Sequence, residues 1–370
     1  MAKNQRFTIA WISPLPLERE AARLVLDEEY PQEEIHHRGV YYLGGRIGQH
    51  EVVIGLQHKI GLNGAANIAA RMSAGFPNIK HFVLVGIAGG VPRYGVAGNA
   101  SEMVLGDVVV SSPRGNSGGV AQYDKGAWKG EREGRLIFRG YTNGIPGDLL
   151  AAVNNYRAEG WSQTNIPEIL GQMRGKLDEK RQHQYDDPGP IRDVLYKDNY
   201  EHQGTEYDDC KQCCDADHSD SRSDRGQSAV RMVDEPFVHY GNIASSSQLQ
   251  ISAKERNRIQ LEHEVICFEM EAAGVMEEHP CLVVRGICDY ADSHKNKGWQ
   301  NYAAATAAAC AKGLLLKIPA VEIGGAEASA SLAATPSSAQ SSRVSFGNNN
   351  QGFQAGNIYG PVSGMTFGRH

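Results

Sequence analysis

Residues 82–90 read Phe-Val-Leu-Val-Gly-Ile-Ala-Gly-Gly, a continuous apolar run that ends in a glycine-rich turn. A strand that is buried on both faces of a sheet has this uninterrupted pattern, whereas a strand with one wet face alternates. Similar apolar runs stand at 7–12, 52–56, 106–110 and 281–287, with helical patterns between several of them. Strands that alternate with helices indicate an α/β fold. We therefore expect a three-layer α/β/α arrangement with a central mixed, mainly parallel sheet.

Composition limits the class of protein. The chain has 370 residues and a formal net charge of -6, so it offers no basic surface for nucleic acid. No apolar run approaches the roughly 20 residues that a membrane helix needs, and the first residues lack the features of a signal peptide. Seven cysteines are an odd count, which fits reduced thiols better than a disulfide framework. We expect a cytoplasmic protein with one main domain, which binds neither nucleic acid nor membrane.

The chain divides into a main domain and two polar segments. The domain is expected to span residues 1–320 and to contain a polar surface insertion over about 171–234, partly disordered. Residues 321–370 are rich in Gly, Ala, Ser and Asn, which predicts a flexible low-complexity tail. The Asn- and Gln-containing stretch at 346–357 also allows a self-pairing β segment, although a solvated linker is favoured.

Three features follow predicted strands directly. Glu18 comes after the first strand, the glycine loop 86–90 after the third, and Asp289 after the last. Ligands of open α/β sheets bind beyond the carboxyl ends of the strands, so these features should meet at one edge. Each also has a plainer explanation, such as a tight turn for the loop and a helix cap for Asp289. An aspartate held partly desolvated there could instead be a general acid with a raised pKa.

A pair of carboxylates follows another apolar run, at 265–267. Glu269 and Glu271 occur in the sequence Phe-Glu-Met-Glu-Ala-Ala at 268–273. They could be solvated glutamates at the start of a helix, where the helix dipole favours them. They could also be buried carboxylates that accept hydrogen bonds from hydroxyl or amide donors. The pattern alone leaves both explanations open.

A cysteine cluster stands inside the insertion. Cys210, Cys213 and Cys214 could bind zinc together with His202 or His218, but a second cysteine pair at the usual spacing is missing. The sequence contains no His-Glu-x-x-His zinc motif. We expect no metal and no cofactor, although the sequence leaves open whether the insertion binds metal.

Together these motifs resemble the nucleoside phosphorylase/nucleosidase superfamily, and the methylthioadenosine/S-adenosylhomocysteine nucleosidase pattern in particular. The similarity covers roughly residues 7–318 outside the insertion, and its most specific part is 268–272 followed by Cys288-Asp289. In one filamentous-fungal branch the domain often stands at the front of NLR-like signalling proteins. Three further stretches are similar to that branch: 14–18, 121–126 and 239–241.

The resemblance implies a role for each candidate residue. Asp289 would be the general acid that protonates purine N7, Glu18 would activate the attacking water, and Glu271 would bind the ribose hydroxyls. An aromatic residue stacks on the base in that family, and because Ala244 stands in its place, Tyr240 or Tyr123 must replace it. The other residues implied in substrate binding are Met270, Glu269, Ala88, Gly89, Ile87, Ser245 and Tyr240.

Hydrolysis is expected rather than phosphorolysis. The phosphorylases of this superfamily bind phosphate with arginines and a serine near the glycine loop, where this chain has Leu84 and Ile87. A phosphate dianion without cationic or hydroxyl partners would be costly to desolvate. The resemblance therefore predicts a purine nucleosidase of purine salvage that forms a homo-oligomer, with adenosine, inosine, guanosine and methylthioadenosine all open as substrates. A purine nucleoside phosphorylase and a non-catalytic nucleoside-sensing module are the alternatives.

Overall fold

The fold is described from a computed structural model of the chain. The described residues are 3–31, 35–95, 100–129, 135–138, 142–158, 160, 165–205, 208–295 and 297–320. They belong to one compact unit. The predicted tail at 321–370 lies outside the described residues, so its flexibility stays a prediction. Within the described ranges, no helix has both the length and the apolar character needed to cross a membrane.

Strands and helices follow one another along the chain. The helices are α1 (Pro16–Val25), α2 (Leu62–Gly75), α3 (Gly147–Ala158), α4 (Ile166–Gly175), α5 (Glu179–Gln182), α6 (Cys210–Cys213), α7 (Ala253–His263), α8 (Ala272–Met276) and α9 (Gln300–Leu315). The strands are β1 (Ile9–Ser13), β2 (Glu28–Glu29), β3 (His36–His37), β4 (Val40–Tyr41), β5 (Leu43–Ile47), β6 (His50–Leu56), β7 (His81–Gly90), β8 (Arg93–Tyr94), β9 (Ser101–Glu102), β10 (Val108–Ser111), β11 (Val120–Gln122), β12 (Gly126–Lys129), β13 (Arg135–Phe138), β14 (Val194–Tyr196), β15 (Ser219–Ser221), β16 (Val238–Ser245), β17 (Val265–Glu269) and β18 (Cys281–Asp289).

The central strands are apolar because both of their faces are covered. β1, β7 and β18 are buried along nearly their whole length. β1 pairs in parallel with β6 and β7, and β7 pairs in parallel with β18. Antiparallel pairs join β10 to β18 and β5 to β6, so the sheet is mixed. The prediction of a mixed α/β fold is confirmed.

The sheet closes on itself at one end. Its ten strands follow the order β11-β16-β10-β18-β7-β1-β6-β5-β2, with β17 off this path. β17 pairs in parallel with β16 and antiparallel with β7, so β16, β10, β18, β7 and β17 form a closed ring of pairings. The predicted three-layer α/β/α arrangement is not confirmed, because β17 joins β16 to β7 and closes part of the sheet into a ring.

The helices pack closely on both parts of the sheet, the closed ring and the strands beyond it. α9 lies along β18 and β7 and contacts α1, while α2 packs on β1 and β6 and contacts α8. A Cβ atom on Gly286 would collide with the backbone of Ala303, so this glycine lets α9 lie directly on β18. These contacts hold the start of α1 and the ends of β7 and β18 at the same edge of the sheet.

The polar insertion is built around buried charges. Asp193 is fully buried, and its carboxylate accepts hydrogen bonds from Arg222 Nε at 2.7 Å and Arg225 Nη1 at 3.3 Å. Arg225 Nε also contacts Glu102 at 2.6 Å, and the Tyr290 hydroxyl donates to Asp193 at 2.5 Å. Within the described residues of this segment, Asp193, Arg222 and Arg225 are buried, whereas its partial disorder stays a prediction. Its charges neutralise one another across the domain surface, which polarity along the sequence does not reveal.

Candidate active site

A cavity of about 270 Å³ opens where β1, β7, β17 and β18 end. β1, β7 and β18 run in the same direction and bring their carboxyl ends to one edge of the sheet, whereas β17 runs antiparallel to β7 and reaches this edge by pairing with the end of β7. Most of the predicted site residues line this cavity: Glu18, Ile87, Ala88, Gly89, Glu269, Met270, Glu271 and Asp289.

Glu18 is buried at the start of α1. One carboxylate oxygen accepts from the Leu15 N–H at 2.5 Å, so Glu18 caps its own helix, and the other accepts from the Ile87 N–H at 2.7 Å. A Cβ atom on Gly86 would collide with this carboxylate, so the glycine makes room for it. Burial raises the pKa of Glu18 to about 8, because the charged form loses its hydration. A carboxyl with such a pKa can take up a proton near neutral pH.

Glu269 and Glu271 share one buried cation. Arg285, in β18, forms an ion pair with Glu269 and a second with Glu271 at 3.3 Å. Glu269 also accepts from the backbone N–H groups of Glu271 and Ala272, and Glu271 accepts from the Gly61 N–H at 3.2 Å. Of the two explanations, the structure favours buried, hydrogen-bonded carboxylates. We call Glu18, Glu269, Glu271 and Arg285 the Arg285 group.

Asp289 lies on the other side of the cavity and has a cation of its own. The Lys295 ammonium contacts Asp289 Oδ1 at 3.0 Å, and the Ala291 N–H donates to the same oxygen at 2.9 Å. Burial raises the pKa of Asp289, but Lys295 and this N–H together hold it below its usual range. This direction differs from the raised pKa that the general-acid explanation of Asp289 implies, because Lys295 lies beside its carboxylate. We call Asp289 and Lys295 the Lys295 pair.

Aromatic side chains complete the wall. Tyr123 and Phe268 both line the cavity, with their ring centroids 5.8 Å apart in an edge-to-face contact. The segment Gln248, Leu249 and Gln250 closes one side. Such a mixture of apolar surface and a few convergent charges is typical of a pocket for a small organic ligand.

Comparisons with known proteins give one relative in sequence. Models of protein families give no match for the chain. A nucleotide-binding leucine-rich repeat (NLR)-like protein of Hyaloscypha variabilis is 37% identical over 317 residues, which cover 84% of this chain. The chain spans 29% of the length of that relative.

Solved structures share the fold at low sequence identity. The futalosine hydrolase of Helicobacter pylori matches with a TM-score of 0.51 and 16% identity, over 84% of this chain and 98% of that chain. The Streptococcus pneumoniae MTA/SAH nucleosidase, solved in complex with 8-aminoadenine, matches with a TM-score of 0.50 and 17% identity, over 85% of this chain and 100% of that chain. The chain has the nucleoside phosphorylase/nucleosidase fold.

Two predicted site residues of this nucleosidase fold do not line the cavity. Ser245 is fully buried beneath it, where its hydroxyl accepts from the Ala273 N–H at 3.0 Å. Tyr240 is buried on β16, and the Arg157 guanidinium of α3 lies 5.1 Å from its ring centroid. Tyr123, the other aromatic candidate, does line the cavity. Tyr240 lies near the start of β16, where it pairs with Val110, and not at the carboxyl end of the strand.

Sequence reasoning missed both cations of the site. Arg285 had a signal, since a charge inside an otherwise apolar strand needs a buried partner. Lys295 had none, because it lies in a polar loop after β18 where a lysine is ordinary. Because Arg285 and Lys295 lie beside the carboxylates, the electrostatics of this site are known only from the structure.

Proposed function

We propose that the chain hydrolyses the N-glycosidic bond of purine nucleosides. The observation that carries the proposal is the convergence of Glu18, Glu271 and Asp289 on one nucleoside-sized cavity with an aromatic wall. Breaking this bond leaves a sugar with oxocarbenium-ion character, a departing base that needs a proton, and a water that must lose one. The cavity offers carboxyl groups for all three tasks.

Asp289 is the proposed general acid for the departing base. Lys295 keeps its carboxylate ionised. When a purine fills the cavity and displaces water from the carboxylate, Asp289 takes up one proton from solvent and holds it against N7. As the bond between C1′ and N9 breaks, its electron pair stays on the base and the Asp289 proton moves to N7. The base then leaves as a neutral molecule.

Glu18 is the proposed general base for the attacking water. Its raised pKa makes its carboxylate a strong enough base to accept a proton as water attacks C1′. The water oxygen bonds to C1′, and the proton goes to Glu18, from which it returns to solvent. Glu271 and Met270 are proposed to hold the sugar, since the ion pair with Arg285 leaves Glu271 free to accept from ribose hydroxyls.

Water is favoured over phosphate because the described residues that line the cavity offer no unpaired positive charge. Among its described lining residues, Lys295 is the only cation, and its ammonium is paired with Asp289. Arg285 is buried behind the wall and neutralised by Glu269 and Glu271. A phosphate dianion would therefore meet carboxylates without a compensating partner.

Lys295 favours a 6-oxopurine base over a 6-aminopurine. The carbonyl oxygen at C6 accepts hydrogen bonds, and it lies beside N7 on the same edge of the base. An ammonium 3.0 Å from Asp289 can donate to that oxygen while Asp289 engages N7. The amino group of adenosine would instead point N–H groups at the ammonium. We propose inosine or guanosine as the preferred nucleosides.

A decisive experiment incubates the purified chain with inosine, guanosine and adenosine, with and without phosphate, and separates the products by chromatography. Free base and ribose in phosphate-free buffer support hydrolysis. Ribose 1-phosphate that forms only when phosphate is added would support the phosphorylase instead. The Tyr240→Phe variant controls for the effect of a substitution outside the cavity. It should form the same products as the wild type, since Tyr240 is buried away from the cavity.

A nucleoside-sensing module is the second candidate, and the NLR-like relative is the observation that favours it. Tight binding of inosine without any release of hypoxanthine would support sensing and contradict the hydrolase. The homo-oligomer and the role in purine salvage remain predictions from the resemblance. Light scattering on the purified chain tests the first of them.

A further inference from the structure

Four metal-ligating side chains meet in the insertion, on the segment that connects β14 to β15. His202 lies in the first half of this segment, and Cys210, Cys213 and Cys214 belong to α6 and the residue that follows it. Asp209 caps α6 by accepting from the Lys211 N–H at 3.0 Å, which turns the cysteines toward His202.

The separations of these atoms suit a single small cation. Cys210 Sγ lies 3.3 Å and Cys214 Sγ 3.4 Å from His202 Nδ1, and these three atoms lie within 4.8 Å of one another. Cys213 Sγ lies 3.8 Å from Cys214 Sγ. Zinc bonds of about 2.3 Å to sulfur and about 2.0 Å to nitrogen place tetrahedral ligand atoms roughly 3.5–3.8 Å apart.

The imidazole of His202 is oriented for ligation. Its Nε2 lies 3.0 Å from the carbonyl oxygen of Thr205, and a carbonyl can only accept, so Nε2 must carry the proton. Nδ1 then directs its lone pair toward Cys210 and Cys214. A backbone carbonyl that fixes the tautomer in this way is a common partner of zinc-bound histidines.

We propose that His202, Cys210, Cys213 and Cys214 bind one zinc ion. His202 Nδ1 and the sulfur atoms of Cys210 and Cys214 are in place. Cys213 Sγ lies 3.8 Å from Cys214 Sγ but 3.7 Å from His202 Nε2, so its side chain must turn toward Nδ1 to supply the fourth ligand. Three thiolates and one imidazole form a closed tetrahedral set of the structural type, with no position left for water. Binding releases the thiol protons to solvent, so affinity rises with pH.

The proposed zinc site contacts the loop that follows β18 and carries Lys295. The His202 N–H donates to Ser293 Oγ at 2.9 Å, and the His294 ring meets the His202 ring edge-on at 5.8 Å. His294 in turn stacks on Tyr196 with ring centroids 3.9 Å apart. Zinc would therefore hold the insertion against residues 292–295, which follow Asp289, and would have a structural role outside the chemistry.

The test measures metal directly and needs no catalytic activity. The full chain is reduced, stripped with a chelator, dialysed against Zn²⁺ and then analysed for bound zinc by mass spectrometry. Cobalt is used as a second probe, since tetrahedral thiolate coordination gives intense visible absorption. We expect about one metal ion per chain and the cobalt spectrum of a thiolate-rich tetrahedral site.

Variants assign the ligands. Cys210→Ser, Cys214→Ser and His202→Gln should each lose most of the bound zinc and the cobalt spectrum. Lys211→Gln, which lies between the cysteines, and His218→Gln, which stacks on Tyr200, should keep both. Wild-type protein that takes up no zinc from the folded, reduced state would overturn the proposal. So would ligand variants that bind as much zinc as the wild type, since zinc would then be bound elsewhere.

Discussion

The Arg285 group and the Lys295 pair place buried carboxyl groups in the same cavity with opposite charge behaviour. Burial raises the pKa of Glu18 to about 8, whereas Lys295 holds the pKa of Asp289 below its usual range in spite of burial. Arg285 is shared among Glu18, Glu269 and Glu271, while Lys295 contacts Asp289 closely. The comparison shows that burial alone does not set the charge of an acid here. The neighbouring cation contributes as well, because Lys295 outweighs burial at Asp289 whereas Arg285 does not outweigh it at Glu18.

The largest expected effect comes from the acid of the Lys295 pair. Asp289→Asn keeps the shape and a hydrogen-bonding amide but cannot transfer a proton to N7. We expect kcat/KM for inosine to fall by about 10³-fold, within the usual range for loss of a general acid. Hypoxanthine release over time measures it. A loss below tenfold would show that the departing base is not protonated by Asp289.

Arg285 and Lys295 should differ in how much each contributes to the free energy of unfolding. Arg285→Met leaves buried carboxylates without their partner, and we expect a loss of about 3–5 kcal/mol in the free energy of unfolding. Lys295→Met removes a cation whose side chain keeps 30% of its exposure, so solvent screens the change and we expect well under half that loss. Urea denaturation at pH 7 measures both. Equal losses would contradict the assignment of Arg285 as the shared cation.

The pH dependence tests the base of the Arg285 group. Glu18 acts in its ionised form, so below its pKa of about 8 the activity should fall by up to about tenfold per pH unit. Glu18→Gln should lower kcat/KM by about 10²-fold and remove this dependence. Glu20→Gln, on the same helix but partly exposed, is the matched control. A wild-type profile that is flat from pH 6 to 8 would rule out Glu18 as the base.

The smallest expected effect concerns the choice of base. Lys295→Met should lower kcat/KM for inosine about tenfold more than for adenosine, because only the 6-oxopurine loses a hydrogen bond. It should also raise the pKa of Asp289, since the partner that lowers it is gone. The ratio of the two specificity constants measures the first effect. An unchanged ratio would remove Lys295 from base recognition.

The sequence predicted the fold where the signals are local. β7 and β18 were recognised because an unbroken apolar run is the mark of a strand covered on both faces. The closure of the ring through β17 was not predicted, since its pairing with β16 and β7 joins residues far apart in the chain. The buried ion pairs of Asp193 with Arg222 and Arg225 were not predicted for the same reason.

The candidate site was predicted in part. Glu18 and Asp289 were found because residues that follow parallel strands collect at one edge. Tyr240 was wrongly predicted to contact the base, because the sequence pattern does not show where the residues of β16 lie relative to the cavity. The zinc ligands were noticed as residue types, but only the folded segment shows that His202, rather than His218, faces the cysteines.

The amino-acid sequence by itself determined the strands, the edge where they end and the carboxylates that follow them, because burial pattern and chain direction are written in local order. Tertiary structure alone decided the charge states. Whether an acid is ionised depends on which cation lies within a few ångströms and on how many other acids share it. Coulomb energy depends on distance in space, and sequence separation does not report it.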